Sequence, residues 1–548
     1  MKRTTSPHQI KNVICSWFTF FISVSAVLAL GTEVKPKSVV IMFDGMRADA
    51  VFNADMPNYR RIMSGQWVTG YHAAWSPNCR TTTGAPADSA PNHVTIATGM
   101  EASSHKATGN GKTKNVDYAH CVPWLTRLMQ AGKIRSGVYL HSWGEDQFIQ
   151  MGAGINCIRK KDAENVDELI RMLSGNECPD AAQIYIDLAD GKGHQQTKVN
   201  GVPGGFYPSS QDYLDALRQC DDWLGKILSA IAGRRSFASE GWMIIVCSDH
   251  GGFASYHGAR AVSQAKTTPL LLISRSVKSS GRMKDLPRLC DIAPTVLTHH
   301  GLDCSSLKLD GCPLSGATRP QEKSGLKDGL IYYLDFDGQS GFNAASEFKV
   351  KTIGTPLKKG DGKFGSSVRF TKQTGFLQLE NSNQISYANG GDLTFCFWVK
   401  SGKAAGNPVI FGNKNWNDGY TPGLAVVRRP SYILNIGSAN RNKRLDLNKF
   451  VHIDNEWLFF AVTRRKGDIF FIQGFSDGRF YWMTDKCSDL AILSEFPWTI
   501  GQDGTGKYKF KLDFDLDDFA FWNRSLSLFE LKKIFDAGRK GHPIKEIL

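Results

Sequence analysis

Short apolar runs alternate with amphipathic stretches between residues 38 and 312. Residues 213–233 form one amphipathic stretch. Folded as a helix, it would carry Leu217 and Leu224 on its apolar side. The apolar runs are rich in Val, Ile and Leu without strict alternation, as in strands buried on both faces, and cover residues 38–44, 136–142, 183–190, 242–249 and 268–274. We therefore predict an α/β unit with a mostly parallel sheet and helices on both faces.

A different pattern begins near residue 328. Aromatic-rich alternating runs, separated by Gly, Asn and Asp turns, occupy residues 330–336, 366–371, 393–400, 457–465, 468–475 and 516–523. Many short strands at this spacing predict an antiparallel β-sandwich, with a helical pattern only at its end, over residues 526–538. The segment before them is rich in Pro, Gly, Ser and charge, as linkers are. We place the α/β unit at residues 32–312, the linker at 313–327 and the sandwich at 328–548.

The N-terminus has the features of a signal peptide. Lys2, Arg3 and Lys11 precede an apolar stretch over residues 13–30, after which polar residues begin. We assign residues 1–31 to a signal peptide and expect the protein to be exported. The apolar stretch is also long enough to remain as an uncleaved membrane anchor, so both outcomes stay open.

Composition and charge narrow the class of protein. Apolar residues make up 41% of the chain, which argues against wholesale disorder. The formal net charge of +14 is spread over both halves and would suit anionic partners such as nucleic acids, acidic glycans or phospholipid head groups. A solvated basic exterior without a specific partner explains the charge equally well. Neither half shows a nucleic-acid-binding motif.

Cysteine usage fits an exported protein. Apart from Cys15 in the predicted signal peptide, the chain has eleven cysteines, and export would let many of them pair. A short loop separates Cys304 from Cys312, and we predict a disulfide between these two residues. Cys247 lies in an apolar strand and is predicted to be a buried free thiol.

The candidate chemistry lies at the ends of the predicted strands. The residues concerned are Asp44, Asp190, His194, Asp249, His250 and His257. Asp190 and His194 are four residues apart across two glycines, a spacing that lets both face one ion. Ligands of such sheets gather outside the carboxyl ends of the strands. Three carboxylates and three imidazoles are what two adjacent Zn²⁺ ions require.

Each of these residues also has a simpler explanation by itself. A strand-end residue such as Asp44 is commonly a helix cap or turn residue, and His257 alone would be a surface histidine. Asp187 is a rival carboxylate, but a place inside a strand favours a structural role for it. The metal interpretation depends on all the residues falling at strand ends of one α/β unit.

Ser89 is the candidate nucleophile. A serine hydroxyl attacks poorly at neutral pH, and coordination to Zn²⁺ lowers its pKa enough to activate it. The alternative role is that of a helix N-cap ahead of Pro91. The two roles are compatible, because a helix N-terminus also attracts a phosphate group.

The order of these residues resembles the alkaline phosphatase superfamily. The sequence contains Asp44, then Ser-Ala-Pro-Asn-His, Asp-Gly-Lys-Gly-His, Ser-Asp-His-Gly and His-Gly, and is most similar to the type I phosphodiesterase/nucleotide pyrophosphatase branch over residues 38–312. The ligands that the resemblance implies are Asp190, His194 and His257 for one zinc ion and Asp44, Asp249, His250 and Ser89 for the other. It also implies that Asn110 hydrogen-bonds a phosphoryl oxygen.

Two features depart from the phosphodiesterase branch. That branch usually carries threonine as its nucleophile, whereas this chain has Ser89, as alkaline phosphatases do. The loop after His194 lacks the extended sequence common in the branch, so the substrate class is less defined than the chemistry. Sulfatases share the fold but use a Cys/Ser-x-Pro-x-Arg motif, which neither residues 89–93 nor Cys79-Arg80 provide.

The second unit resembles a laminin G-like, concanavalin-type jelly roll over about residues 328–540. The segments that carry the likeness are GKFGSSVRF, LTFCFWVK, NEWLFFAVTRR, TIGQDG and LDDFAFWNRSLS. Such domains often bind glycans, and some bind Ca²⁺ through loop carboxylates, for which Asp335, Asp337 and Asp517 are candidates. A packing module without a ligand is the alternative.

These observations predict an exported two-zinc phosphoric ester hydrolase that acts on phosphate ester or nucleotide-like substrates. Ser89 would attack phosphorus to form a phosphoserine, which a zinc-bound hydroxide would then release. The sandwich would bind carbohydrate or another anionic surface, and a chain truncated near Pro320 would keep its turnover of small substrates. The alternatives are a phosphomonoesterase and a glycan-binding or adhesive protein with a vestigial hydrolase domain.

Overall fold

The structure is a computed structural model. It describes residues 34–195, 205–258, 263–316, 318–319, 325–338, 349–380, 392–448, 450–465, 467–492 and 494–548. The predicted signal peptide at residues 1–31 lies outside these ranges. Among the helices within them, none combines the length and the apolar character needed to cross a membrane.

Nine strands form one sheet in the first part of the described chain. They are β1 (Lys35–Phe43), β2 (His72–Arg80), β3 (Gly137–His141), β4 (Ile155–Arg159), β5 (Ala181–Ile186), β6 (Glu240–Cys247), β7 (Thr267–Ser274), β8 (Gly281–Met283) and β9 (Thr318–Arg319). Their order across the sheet is β4-β3-β5-β1-β6-β7-β2-β8-β9. Only β7 and β9 run antiparallel to their neighbours. The predicted mostly parallel sheet is therefore confirmed.

The five apolar runs correspond to β1, β3, β5, β6 and β7. The apolar pattern did not indicate β2, because Ser76, Pro77 and Asn78 interrupt it where the pairing with β7 shifts register. The two-residue strand β9 lies within the predicted linker and extends the sheet at its edge.

Helices cover both faces of this sheet. They are α1 (Ala48–Asn53), α2 (Pro57–Met63), α3 (Ser89–Thr98), α4 (Ala102–His105), α5 (Trp124–Gln130), α6 (Asp162–Ser174), α7 (Leu188–Gly193), α8 (Gln211–Ala232), α9 (Ser263–Lys266) and α10 (Ile292–His299), with 3₁₀ turns at Thr113–Asn115, Gly144–Phe148, Phe237–Ser239 and Leu289–Asp291. Alternate residues of β1 enter different cores, since Ile41 packs in the core that includes α8 and Met42 in the core that includes α5 and α10. The predicted helix is α8, with Leu217 and Leu224 fully buried.

The second part of the described chain is an antiparallel sandwich. Its strands are β10 (Leu330–Leu334), β11 (Val350–Ile353), β12 (Lys358–Asp361), β13 (Ser366–Phe370), β14 (Phe376–Leu379), β15 (Leu393–Ser401), β16 (Val409–Gly412), β17 (Leu424–Arg428), β18 (Tyr432–Gly437), β19 (Arg444–Leu447), β20 (Trp457–Arg465), β21 (Asp468–Gly474), β22 (Phe480–Lys486), β23 (Thr499–Ile500) and β24 (Phe514–Trp522). Helix α11 (Leu528–Arg539) and a 3₁₀ turn (Ile544–Glu546) follow. The predicted β-sandwich and its terminal helix are therefore confirmed.

Two sheets face each other in this sandwich. One has the order β12-β13-β24-β15-β20-β21-β22, with β10 also paired to β24, and the other has the order β11-β14-β23-β16-β17-β18-β19. Aromatic rings fill the space between them, including Phe395, Phe411 and Trp498, whose centroids are 4.7–6.1 Å apart.

The two units share an apolar seam, formed by Ala48, Phe52, Trp75, Trp482 and Phe529. The ring of Phe52 lies 5.0 Å from that of Trp482 and 5.0 Å from that of Phe529, and Trp75 lies 5.5 Å from Phe529. Ala48, from α1, belongs to the same buried cluster as Trp482. The sandwich therefore packs directly on the helix that follows β1.

The predicted disulfide between Cys304 and Cys312 is wrong. Both are free thiols, as are the other nine cysteines of the described residues. The Sγ atom of Cys304 faces the carbonyl oxygens of Pro294 and Leu302, whereas Cys312 is exposed. Cys247 is a buried free thiol, as predicted.

Candidate active site

Three neighbouring strands bring acidic residues to one edge of the nine-stranded sheet. β1 lies between β5 and β6 and runs parallel to both, so the three carboxyl ends are side by side. Asp44 follows β1, Asp187 follows β5, and Asp249 lies two residues after β6. The prediction that Asp187 lies inside a strand is wrong, because β5 ends at Ile186.

The first cluster consists of Asp190, His194 and His257. The Nε2 atom of His194 lies 3.2 Å from Asp190 Oδ2 and 3.1 Å from His257 Nε2, and His257 Nε2 lies 3.9 Å from Asp190 Oδ1. Helix α7 presents Asp190 in its first turn and ends next to His194, which is why their spacing of four residues brings both side chains together.

The second cluster consists of Asp44, Asp249 and His250. The Nε2 atom of His250 lies 3.2 Å from Asp44 Oδ1 and 3.3 Å from Asp249 Oδ2. It also lies 4.0 Å from Asp190 Oδ1, so the two clusters adjoin. In each cluster, one ligand atom from every residue lies within 4.8 Å of the others, which suits a metal ion.

The backbone orients all three imidazoles of the clusters in the same way. Each Nδ1–H donates to a carbonyl oxygen: His194 to Ser255 at 2.9 Å, His250 to Gly251 at 2.8 Å and His257 to Ala87 at 2.9 Å. This hydrogen bond fixes the tautomer that leaves the Nε2 lone pair free. Three Nε2 lone pairs therefore point into the space between the carboxylates.

Ser89 lies beside the second cluster. It is the first residue of α3, and its Oγ is 3.0 Å from His250 Nε2. The alternative role as a helix N-cap is wrong, because Asp88 occupies the cap position. The hydroxyl therefore faces the clusters at the positive end of a ten-residue helix.

Asn110 lies next to Ser89. Its Oδ1 accepts a hydrogen bond of 3.0 Å from the backbone N–H of Ala90, which anchors the carboxamide at the start of α3. The side chain is exposed, and within the described part of the chain its Nδ2 makes no hydrogen bond. Nδ2 is thus a donor available to a ligand beside Ser89.

Burial and neighbouring charges shift the pKa values of the cluster residues in different directions. Burial, together with repulsion from Asp249 and Asp190, raises the pKa of Asp44 well above its ordinary value. Burial would also raise the pKa of Asp249, but the neighbouring His250 and His93 outweigh it and hold that pKa below its ordinary value. Burial and the nearby His250 lower the pKa of His257 to about 4, so this imidazole is neutral at neutral pH.

The donor set fits divalent cations. One buried oxygen each of Asp44, Asp190 and Asp249 accepts no hydrogen bond. Buried anionic oxygens without donors are costly unless a cation balances them. Neutral imidazole nitrogens and carboxylate oxygens at such separations are the ligands that zinc takes in proteins.

Glycines allow the chain to close around the clusters. Gly45 has φ +67°, and a Cβ at this position would lie 2.9 Å from Asp190 Oδ1. The ring of Phe206 lies where a Cβ on Gly193 or Gly252 would be, at 2.1 and 2.3 Å. The space that a side chain at position 45 would need is therefore taken by Asp190.

The sequence did not assign roles to His93 and Tyr185. His93 is fully buried with Nε2 3.2 Å from Asp249 Oδ2, and the hydroxyl of Tyr185 is 2.7 Å from both Asp44 Oδ2 and Asp187 Oδ1. The spacing of four residues from Ser89 places His93 on the same side of α3, a signal that was available in the sequence. Tyr185 is one apolar-looking strand residue among several, so no pattern marked it.

Two of the three predicted calcium ligands of the sandwich form ion pairs with a lysine. The ammonium of Lys545 lies 3.2 Å from Asp335 Oδ2 and 3.0 Å from Asp337 Oδ2. Asp517 Oδ2 accepts from the backbone N–H of Phe364. Among the described residues, every group of acids and histidines close enough to hold a metal belongs to the first unit. Calcium binding by the sandwich stays a prediction.

Comparison with known proteins agrees with both resemblances. Residues 38–134 match the family of type I phosphodiesterase / nucleotide pyrophosphatase, and residues 371–532 match the concanavalin A-like lectin/glucanases superfamily. No curated protein matches the chain.

Several solved structures are similar to part of the chain. The binding domain of botulinum neurotoxin DC in complex with SialylT has 15% identity and a TM-score of 0.31 over 38% of this chain and 52% of that one. The botulinum neurotoxin serotype C1 binding domain has 13% identity and a TM-score of 0.31 over the same shares. The chain thus spans about half the length of these structures, and the likeness says nothing about what it binds. By its domains, the chain joins a segment similar to type I phosphodiesterases/nucleotide pyrophosphatases to a laminin G-like, concanavalin-type sandwich.

Proposed function

We propose that the protein is an exported hydrolase of phosphoric esters that acts through Ser89. The observation that carries the proposal is the meeting of two clusters of acids and histidines beside the hydroxyl of a serine that begins a helix. The similarity of residues 38–134 to type I phosphodiesterases supports the reaction class.

Two zinc ions are the metals that we propose for the clusters. Asp190, His194 and His257 would hold one ion, and Asp44, Asp249 and His250 would hold the other, with Ser89 beside it. When bound, such ions lower the pKa of a coordinated hydroxyl and neutralise charge on phosphoryl oxygens. The mixed carboxylate and imidazole ligands favour zinc over softer or harder metals.

Ser89 carries the nucleophilic step of the proposed reaction. Its Oγ forms a bond to phosphorus while the bond from phosphorus to the leaving oxygen breaks, and the hydroxyl proton ends on that oxygen. The product is a phosphoserine that retains the other ester group. Water then attacks the phosphorus, the Ser89 Oγ–phosphorus bond breaks, and a proton from the water restores the hydroxyl as the phosphate, still carrying that ester group, leaves.

The first turn of α3 and Asn110 would bind the phosphoryl group. The helix begins at Ser89, so its dipole favours an anion next to the hydroxyl. Asn110 is held by Ala90 at 3.0 Å, which fixes its Nδ2 as a donor to a phosphoryl oxygen. Both contacts strengthen as charge develops on the equatorial oxygens.

The substrate that we propose is a phosphodiester or a nucleotide-like pyrophosphate. A phosphomonoesterase is the alternative, because a serine nucleophile is also found in alkaline phosphatases. A glycan-binding or adhesive protein with a vestigial hydrolase domain is the alternative from another class. The geometry of the clusters weighs against it, since every predicted ligand is close to its partners.

A substrate panel tests these possibilities. The purified, zinc-loaded chain, Ser89→Ala and a control, Ser64→Ala, would be assayed with chromogenic monoester, diester, pyrophosphate and sulfate compounds. Ser64 is an exposed serine that donates only to Arg61 O, so its replacement should leave turnover unchanged. We expect diester or pyrophosphate turnover that Ser89→Ala loses. A preference for monoesters would support the phosphomonoesterase, and no turnover by zinc-loaded protein would favour the adhesive protein.

A further inference from the structure

A row of charged side chains crosses one sheet of the sandwich. Lys358 on β12 pairs with Arg369 on β13, Arg369 pairs with Asp515 on β24, and Asp515 pairs with Lys400 on β15. Directly paired residues of antiparallel strands point to the same face. The four residues, which we call the basic row, therefore lie side by side with spacings of about 5 Å.

The basic row lies on the outer face of the sheet. The residues adjacent to it along the strands, Val368, Phe370 and Leu516, point into the core between the two sheets. Elsewhere on the outer face, Trp398 packs against Phe535 of α11, with ring centroids 6.1 Å apart. Helix α11 thus covers the apolar part of the outer face, and the row occupies a different, polar part.

Loop lysines turn the row into a basic cleft. The cleft has a volume of about 590 Å³ and contains the cations Lys358, Arg369, Lys372, Lys400, Lys403 and Lys511. Its carboxylates are Asp513 and Asp515, so the six cations leave an excess of four positive charges. A concave site with such an excess concentrates anions.

Only part of this positive charge is neutralised within the protein. Arg369 makes two hydrogen bonds of 2.7 Å to Asp515, and Lys400 lies 3.7 Å from the same carboxylate. The exposed side chains of Lys358, Lys372 and Lys403 form no ion pair with any residue that the structure describes. Three ammonium groups around one cleft are therefore available to a ligand.

We infer that this cleft binds an anionic polysaccharide through its sulfate or carboxylate groups. Separate ammonium groups on flexible side chains suit separate single anions along a chain. Single-stranded nucleic acid is disfavoured, because its binding needs exposed aromatic faces for base stacking. The aromatic residue that lines the cleft, Phe514, is only 4% exposed. The inference rests on the expectation from the sequence that the sandwich binds carbohydrate or another anionic surface.

Binding of dextran sulfate to the full chain tests the inference, with uncharged dextran of equal length as the control ligand. The test variant is K358A/K372A/K403A. The matched control, K278A/K507A/K533A, removes the same charge at exposed lysines outside the cleft. At physiological ionic strength we expect the test variant to bind about tenfold more weakly or worse, since each exposed charge contact contributes modestly. The control should bind within about twofold of the unaltered chain.

Several outcomes would overturn the inference. Equal losses of affinity for dextran sulfate in the two triple variants would mean that net charge alone attracts the polyanion. Failure of the unaltered chain to bind dextran sulfate would contradict the inference directly. The cleft would be assigned to nucleic acid if the unaltered chain bound double-stranded DNA as tightly as dextran sulfate and the test variant lost that DNA binding. Turnover of a small chromogenic ester should be equal in all three proteins. Its absence in all three would contradict the proposed hydrolase and leave the cleft result unaffected.

Discussion

The imidazole of His93 bridges two carboxylates, with Nε2 3.2 Å from Asp249 Oδ2 and Nδ1 2.8 Å from Asp146 Oδ1. The other oxygen of Asp146 accepts from the hydroxyl of Tyr139 at 2.6 Å. All of these groups are buried. The chain of contacts holds the carboxylate of Asp249 in one orientation, as second-layer partners of metal ligands do.

Replacing His93 should therefore weaken metal binding without removing a ligand. We expect His93→Leu to lower zinc affinity by about 10–100-fold, and His93→Gln to lower it less, because the amide keeps a polar group beside Asp249. Competition with a chelator would measure the affinity, and circular dichroism would check the fold. His120→Gln is the control, since His120 is exposed and pairs only with Asp117. Unchanged zinc affinity in a folded His93→Leu protein would show that His93 only fills space.

The clusters predict a metal content. Elemental analysis of the purified chain should find close to two zinc ions, and Asp249→Ala should lower both occupancy and turnover because it removes a ligand. Asp117→Ala, which alters an exposed carboxylate, should change neither. Full turnover after complete metal removal would contradict a metal-dependent reaction.

The position of Ser89 predicts the effect of its replacement. Ser89→Ala should reduce turnover on the order of a thousandfold or more, because it removes the attacking oxygen. Stability should change little, since Asp88 rather than Ser89 occupies the cap position. Ser89→Thr should keep part of the activity, because the hydroxyl survives. Steady-state rates and thermal unfolding would measure both properties, and a fully active alanine variant would mean that water attacks the ester directly.

The apolar seam changes the expectation for a truncated chain. Beside the seam, Asp49 Oδ2 lies 3.5 Å from the backbone N of Trp482 and pairs with Arg47, which donates to the carbonyl oxygens of Phe206 and Gly252 near the clusters. Removing the sandwich would expose the seam and remove the contact between Asp49 and Trp482. We therefore expect a chain ending after Arg319 to lose stability and small-substrate turnover, contrary to the expectation from sequence.

A point variant tests the seam without truncation. Phe52→Ala should lower the free energy of unfolding by about 2 kcal/mol, because it removes aromatic contacts with Trp482 and Phe529. Phe148→Ala is the matched control, since Phe148 is 43% exposed. Chemical denaturation would measure both. A truncated chain with native stability and turnover would show that the first unit stands alone.

Lys414 predicts a pH dependence of stability. Burial lowers the pKa of Lys414 to about 7 from an ordinary 10.5. Its Nζ donates to Asn435 Oδ1 at 2.6 Å and to Gly419 O at 2.9 Å. At pH values between these two pKa values, Lys414 is protonated in the unfolded chain and neutral in the folded one. The free energy of unfolding therefore increases as pH rises. The melting temperature of the unaltered chain should therefore rise relative to Lys414→Met between about pH 7 and 10. A constant difference would contradict the shifted pKa.

The sequence predicted most of the fold, because burial leaves long-range patterns. Strands such as β1 and β6 each contain a continuous apolar run, over residues 39–43 and 242–247, and are recognisable without knowledge of their partners. The antiparallel direction of β7 left no such mark, since a strand buried on both faces has the same composition in either direction. The two-residue strand β9 is too short for any periodicity.

The candidate site was predictable where its residues follow strands, and less so elsewhere. Asp44 and Asp249 stand out because each ends an apolar run. Asp146 does not, because it lies in a short 3₁₀ turn and reaches the site only through His93. The seam was also beyond prediction, because Phe52 and Trp482 are 430 positions apart and each is an ordinary apolar residue by itself.

Strand β22 is the last strand of its sheet, and residues of the first unit contact alternate positions along it. The carboxamide of Asn53 exchanges hydrogen bonds of 2.9 and 3.0 Å with the backbone of Phe480, and Asn78 Nδ2 lies 3.3 Å from Thr484 Oγ1. An open strand edge is a template for pairing with other molecules. In the folded protein the first unit therefore covers an edge at which the sandwich could otherwise pair with another molecule.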